Sequence, residues 1–398
     1  MTTNVDQDGL LDALTPVLWL TFFSGNSLRL PKEHPRKLVQ SLMVTIDCSV
    51  CLLLVIYAIQ LKHIFKIPET NSCKFLIGLC FQLFYSCVAL RSCIGLWRKS
   101  TSGLAFTRLL ESYNLKSDRK LISKLKRSNS CLLIASVALL GVTISLLATF
   151  FLTLVIPKDS ILVKVLMLTH HGSDTFVFEV FGFSLLSFSI GCGHLSQLWL
   201  LLFFSRLICY EFTTIRRRVR HSNAHELARE IESIRREYEE VVHLVEAVED
   251  LLSFNLLFLF SAMVPTTCIF LYALIQQGVE EVDLGVIGVM AFTAVTECVL
   301  IVSLGIRINK KAHELKEDLY NVDMTNMSSD VISKLSIFLT RLTASPIGIS
   351  VAGLFIIDNS TILMLAGTLL TYVVVVIQTK PTSNKFRLPV PERNCTFI

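Results

Sequence analysis

Seven stretches of about 20 or more mostly apolar residues, each long enough to cross the ~30 Å hydrocarbon core of a bilayer, divide this chain of 398 residues. They fall near 38–60, 75–96, 131–156, 176–207, 250–274, 284–308 and 348–378. In lipid a helix satisfies its own backbone hydrogen bonds, so the expected fold class is an all-α membrane protein with seven transmembrane helices. A hydrophobic content of 52% and a mean hydropathy of +0.60 agree, and argue against an ordinary soluble domain. Residues 1–26 lack a basic run ahead of their short apolar stretch, so no cleaved leader is expected and the first span acts as the start signal.

Orientation follows from the loops, because Lys and Arg are retained on the cytosolic side. Most of the 37 basic residues fall before the first span and in the 2/3, 4/5 and 6/7 connections, with the adjoining span ends. The N-terminus is therefore expected in the cytosol and the C-terminus outside, the reverse of a G-protein-coupled receptor. The expected order is a cytosolic segment 1–37, helices one to four in 38–207, a cytosolic helical extension 208–249 and helices five and six in 250–308. A cytosolic helix in 309–347, the seventh segment 348–378 and an extracellular tail 379–398 follow. The net charge of +5 reflects this topology, and no nucleic-acid partner is expected.

The cytosolic mass has a pattern of its own. Leu227, Ile231, Ile234, Tyr238, Val241, Val245, Val248 and Leu252 recur at alternating four- and three-residue steps, a heptad seam. Asn223 is the expected cap of this helix, with Glu226 in the capping-box position, and no Pro or Gly separates it from the fifth span. The seam serves either a helical hairpin within one chain or a bundle shared between subunits. A second cytosolic helix is marked by Val331, Leu335, Phe338 and Leu342, before Pro346 and Gly348 interrupt the chain. No internal repeat supports a transporter of inverted halves.

No nucleophile elbow, phosphate loop, His-Glu zinc pair or glycine-rich dinucleotide turn is present, so neither an enzyme nor a cofactor is expected. His170 and His171 are adjacent and diverge by about 100° on a helix, which rules out an i, i+4 metal pair. Ten of the twelve cysteines lie in or beside spans, where cysteine packs as a small hydrophobe. Only Cys73 and Cys395 are expected outside, where they have the option of a bridge. Asn394-Cys395-Thr396 is a formal glycosylation acceptor on that outer tail.

The seventh segment ends in Thr371-Tyr372-Val373-Val374-Val375-Val376-Ile377-Gln378, with a polar amide after an aliphatic run. Its approach, Gly353-Leu354-Phe355-Ile356-Ile357-Asp358-Asn359-Ser360, holds a Gly-Leu-Phe step and a polar break, expected to part a preceding half-helix from the last one. On that last helix Met364, Gly367 with Thr368, Thr371, Val374 with Val375, and Gln378 share one face. Four copies around an axis would make a narrow pore with a hydrophobic constriction at Val375. From spacing alone, Gln378 equally suits a marker of the membrane surface.

These two stretches resemble the closing signature of insect gustatory receptors and their arthropod and nematode relatives. The resemblance implies an insect chemoreceptor-like tetrameric channel, homomeric or heteromeric through the pore helix and cytosolic helices, in the plasma membrane. It implies a ligand-gated, non-selective cation channel, with Val375 and Gln378 at the gate and Thr371 and Tyr372 in the motif. It also implies a small-molecule tastant in the outer half of the bundle; some nematode relatives respond instead to light or peroxide. Thr379 stands where the family usually has Phe, and Lys380 follows it near the pore mouth, where four positive charges would repel cations.

Candidate ligand-facing residues at that depth are Gln82, Tyr85, Thr149, Thr153, Glu179 and Phe183, with Tyr272, Thr296 and Glu297 on spans five and six. Charged groups within spans are costly and face the interior, so Glu297 is the leading ligand or gating candidate, with structural pairing as its alternative. Glu179, near the outer boundary, also suits a solvated interfacial carboxylate. Asp47 and Arg91 are placed to pair across spans one and two; Arg91 snorkelling to the cytosolic surface, or a gating role, are the other options.

Overall fold

The architecture was obtained as a computed structural model. It describes residues 176–275, 281–322, 327–344 and 347–379, with isolated helical positions between 14 and 141. The described core is built from five helices: α1 (Phe176–His221), α2 (Ala224–Ile275), α3 (Glu281–Tyr320), α4 (Ser329–Ala344) and α5 (Asn359–Thr379). They carry spans four, five and six, the second cytosolic helix and the last span of the sequence reading.

The first three helices are longer than a bilayer requires. With 46, 52 and 40 residues they reach about 69, 78 and 60 Å at the helical rise. Each therefore extends far beyond a ~30 Å apolar core. Stretch 191–221 is long and apolar enough to cross by composition alone, and 359–375 is a shorter apolar helix.

The tight turn between α1 and α2 forms as its residues dictate. Ser222 closes α1 on the Arg218 carbonyl, and Asn223 starts α2 by accepting from Leu227 N at 2.8 Å. The Glu226 carboxylate reaches back to Asn223 N at 3.2 Å, the reciprocal half of a capping box.

All eight residues of the heptad seam are buried within the single chain. They pack against Phe212, Ile215 and Val219 of α1, Ile308, Ala312, Leu315 and Leu319 of α3, and Leu335, Phe338, Leu339 and Leu342 of α4 in one core. The expectation of a seam shared between subunits is thereby corrected: this apolar stripe is consumed by the chain's own four-helix bundle. Tyr238 sits at its centre, 5.4 Å from both the Phe212 and Phe338 rings, with its hydroxyl donated to the Ala312 carbonyl at 3.3 Å. Burial pushes the Tyr238 phenol well above its usual range.

Outside the seam, charges pair locally. Arg235 bridges Glu232 and Glu239 at 2.7 Å each, one turn apart on either side. Between helices, Arg216 of α1 binds Glu314 and Asp318 of α3, and Lys311 adds to Glu314 at 2.7 Å. Burial raises the Glu314 carboxyl, yet Lys311 and Arg216 together hold it below its ordinary value.

Candidate functional site

The break ahead of the last helix is a hairpin, which corrects the expectation of a half-helix there. Ser350 pairs with Ile356 in an antiparallel bridge, Ile357 N donates to Ile349 O at 3.0 Å, and Val351 N donates to Phe355 O at 2.9 Å. The turn closes through Leu354 N to Val351 O, with Ala352 at φ 52° and Gly353 at φ 74°. Two successive positive φ values are what a type I′ turn requires, and Gly353 supplies one without strain.

Four contacts hold this hairpin between α2 and α3. The Asn309 side chain donates to Ile347 O at 2.9 Å, and the Ser350 hydroxyl donates to the Glu249 carboxylate. Phe355 meets Phe260 edge-on at 6.0 Å. Ile357 is fully buried against Gly305, where an added Cβ would lie 2.7 Å from its side chain. Only a glycine lets helix and hairpin approach this closely.

From that foot α5 rises with a full cap. Asp358 Oδ1 accepts from Ser360 N at 2.9 Å and Thr361 N at 3.1 Å, while Thr361 Oγ1 accepts from Asp358 N at 3.1 Å. The polar break read from the sequence is thus the N-cap of the last helix. Its 21 residues span about 32 Å, enough for the apolar core of a bilayer.

The helix is covered along one stripe only. Thr361 is buried and Leu365, Leu369, Tyr372 and Val373 are half-buried, whereas Met364, Gly367, Thr368, Thr371, Val374, Val375 and Gln378 are exposed. Val375 is 47% exposed, part of a broad uncovered apolar surface of α5 that also includes Leu363, Leu370 and Ile377. The Thr368 and Thr371 hydroxyls donate to Met364 O and Gly367 O, each at 2.8 Å. Of the four motif residues, Thr371, Val375 and Gln378 lie on the exposed side. Tyr372 is half-buried and has an interaction partner.

The ligand candidates are only partly visible. Glu297 and Thr296 are neighbours on α3; Glu297 is half-buried with an interaction partner, while exposed Thr296 donates to Phe292 O at 2.8 Å. Tyr272 is half-buried on α2 and also has a partner. Glu179 and Phe183 fall on the first turns of α1, with side chains outside the described residues. Gln82, Tyr85, Thr149, Thr153, Asp47, Arg91, Cys73, Lys380 and Cys395 lie outside them altogether. Among the described residues no cluster of His, Cys, Asp or Glu is suited to hold a metal ion.

A cavity of about 210 Å³ between α2, α3 and α5 went unrecognised in the sequence. Its walls are i, i+3, i+4 stripes that read simply as membrane-facing residues until three helices are placed together.

No curated protein matches the chain. Among solved structures it is similar to the insect olfactory receptor OR5 from Machilis hrabei, both alone and in complex with eugenol. Each match has 17% sequence identity, covers 94% of this chain and 99% of that one, and has a TM-score of 0.65. At this identity the likeness establishes the fold. Residues 17–383 match the family described as 7tm Chemosensory receptor, so the chain belongs to the seven-transmembrane chemosensory receptor family of membrane proteins.

Proposed function

We propose that this chain is a gustatory-type chemoreceptor acting as a ligand-gated, non-selective cation channel of the plasma membrane. The N-terminus is cytosolic, four copies surround the pore, and α5 lines it. The observation that carries this reading is the one-sided packing of α5, which leaves Met364, Gly367, Thr371, Val375 and Gln378 uncovered along a membrane-length helix. In a tetramer that stripe faces the axis, and Val375 forms an apolar constriction that closes by dewetting. The family supports chemoreception, and the gustatory assignment rests on the Thr371 to Gln378 signature.

The four-helix core fixes the hairpin, and the hairpin fixes the foot of α5, so movement is concentrated toward the Gln378 end. A small-molecule tastant in the outer half of the bundle opens the channel only through its differential affinity for the open and closed arrangements. With the heptad seam buried inside each chain, subunit contact falls to α5 and to the outer faces of the cytosolic helices.

The test is patch recording from liposomes holding only this chain, across a tastant panel with light and peroxide as separate arms. Tastant-evoked cation current is the expected result. A response to light or peroxide alone would move the chain to that branch of the fold, and silence in every arm, with protein correctly inserted, would refute the channel.

A further inference from the structure

The cavity of about 210 Å³ lies directly behind α5. Ile362, Leu365, Ala366 and Leu369 form its α5 wall. At about 100° per residue this stripe is centred roughly 170° around the helix from the stripe of Met364, Gly367, Thr371, Val375 and Gln378. The facing walls are Val264 and Thr267 of α2 and a stripe of α3 that includes Val295, Cys298, Val299 and Val302.

The chemistry of the lining defines the occupant. Apart from the Cys298 thiol it has no ionisable group, and its other polar side chains are two hydroxyls, those of Ser303 and of Thr267, a residue that already has an interaction partner. An apolar cavity of about 150 Å³ stays dry and takes up benzene, so this one has room for a ring with a short substituent. Its rim residues Val299 and Ile362 are 58% and 49% exposed, so the cavity is open sideways within the apolar length of α3 and α5. We propose that it is a binding site for uncharged, single-ring lipophilic molecules that enter through the bilayer, and that an occupant biases the gate by bracing α5 from behind. The bracing rests on the pore reading of α5; occupancy does not.

The test is photolabelling of the full chain in liposomes with 3-trifluoromethyl-3-phenyldiazirine, followed by peptide mapping. Labelling is expected to concentrate in 295–303 and 362–369. It should fall at least fivefold in Ala366→Phe, which fills the cavity, and persist in Ala366→Ser, which does not. Val299→Phe, at the rim, provides the same loss should Ala366→Phe fail to fold. Even labelling of all bilayer-facing helices, labelling indifferent to both fillings, or absence of label because a lipid chain or neighbouring subunit occupies the space would overturn the site. The same compound should shift the tastant response at least twofold in the unmodified channel and leave Ala366→Phe unshifted. Cavity labelling with an unshifted response would refute the bracing alone. Cavity labelling with no current from any stimulus would refute the channel and leave the site standing.

Discussion

Glu249 of α2 accepts the hydroxyl hydrogen bond of Ser350, a residue 101 positions later in the chain. Ser350 Oγ also accepts from Gly353 N at 3.1 Å, so one buried side chain both closes the turn and ties it to α2. Ser350→Ala leaves a part-buried carboxylate and an amide short of a partner, a loss of about 1–3 kcal/mol. We expect a lower melting temperature in detergent, with most of the stability kept in Ser350→Thr. Equal melting of Ser350→Ala and the unmodified protein would show that the hairpin does not depend on this link.

Gly305 and Ile357 give a second test of the same junction. A methyl group at Gly305 meets Ile357 Cγ2 at 2.7 Å and Cβ at 2.8 Å, and the stiff, fully buried isoleucine has little room to yield. Gly305→Ala should therefore cost about 1–3 kcal/mol through overpacking. Gly288→Ala on the same helix meets nothing within 4 Å, and the better helix propensity of alanine should leave stability unchanged or up to about 1 kcal/mol higher. Thermal melting of the two variants side by side decides it; equal effects would mean that the close approach is unimportant.

How far the fold was legible depends on the range of the forces that shape each part. The capping box at Asn223 and Glu226 and the heptad seam were readable because both are set within a few turns of one helix. Which surface the seam meets was not, since Tyr238 is placed by Phe212, Phe338 and Ala312, all from other helices. The hairpin was missed for the same reason. Its apolar residues resemble the start of a span, and only Gly305, Asn309 and Glu249, remote in sequence, show that they are held in a turn. At the candidate pore, helical spacing alone placed Thr371, Val375 and Gln378 on one side. The motif drew in Tyr372, which spacing sets on the packed side.

Arg216 makes stability sensitive to acid. Although burial raises Glu314, Lys311 and Arg216 leave its folded-state pKa below the ordinary carboxylate value. A depressed carboxylate contributes stability that is fully present above its unfolded pKa and is lost as the pH falls through the folded one. Arg216→Gln removes part of that compensation and moves Glu314 upward toward its unfolded value, so the variant has less stability to lose on acidification and a flatter pH dependence. At neutral pH the cost should be about 1.5–3 kcal/mol, the scale of hydrogen bonds to charged groups. Melting curves between pH 3 and pH 7 check this; parallel curves for the variant and the unmodified protein would exclude the linkage.

The two sides of α5 should respond differently to substitution. Val375 and Gln378 are uncovered, whereas Tyr372 and Val373 are half-buried. If α5 lines a pore, Val375→Ala widens the constriction and makes it easier to wet, so basal conductance should rise several-fold. Gln378→Ala should change single-channel conductance by removing the amide from the mouth, with little effect on melting. Val373→Ala removes two methylene equivalents from a half-buried surface. It should lower stability by up to about 1 kcal/mol, half of what roughly 0.8 kcal/mol per fully buried methylene would give, with a smaller change in conductance than Val375→Ala. Single-channel recording from liposomes together with melting separates the two sides. Unaltered currents in both Val375→Ala and Gln378→Ala would remove α5 from the conduction path.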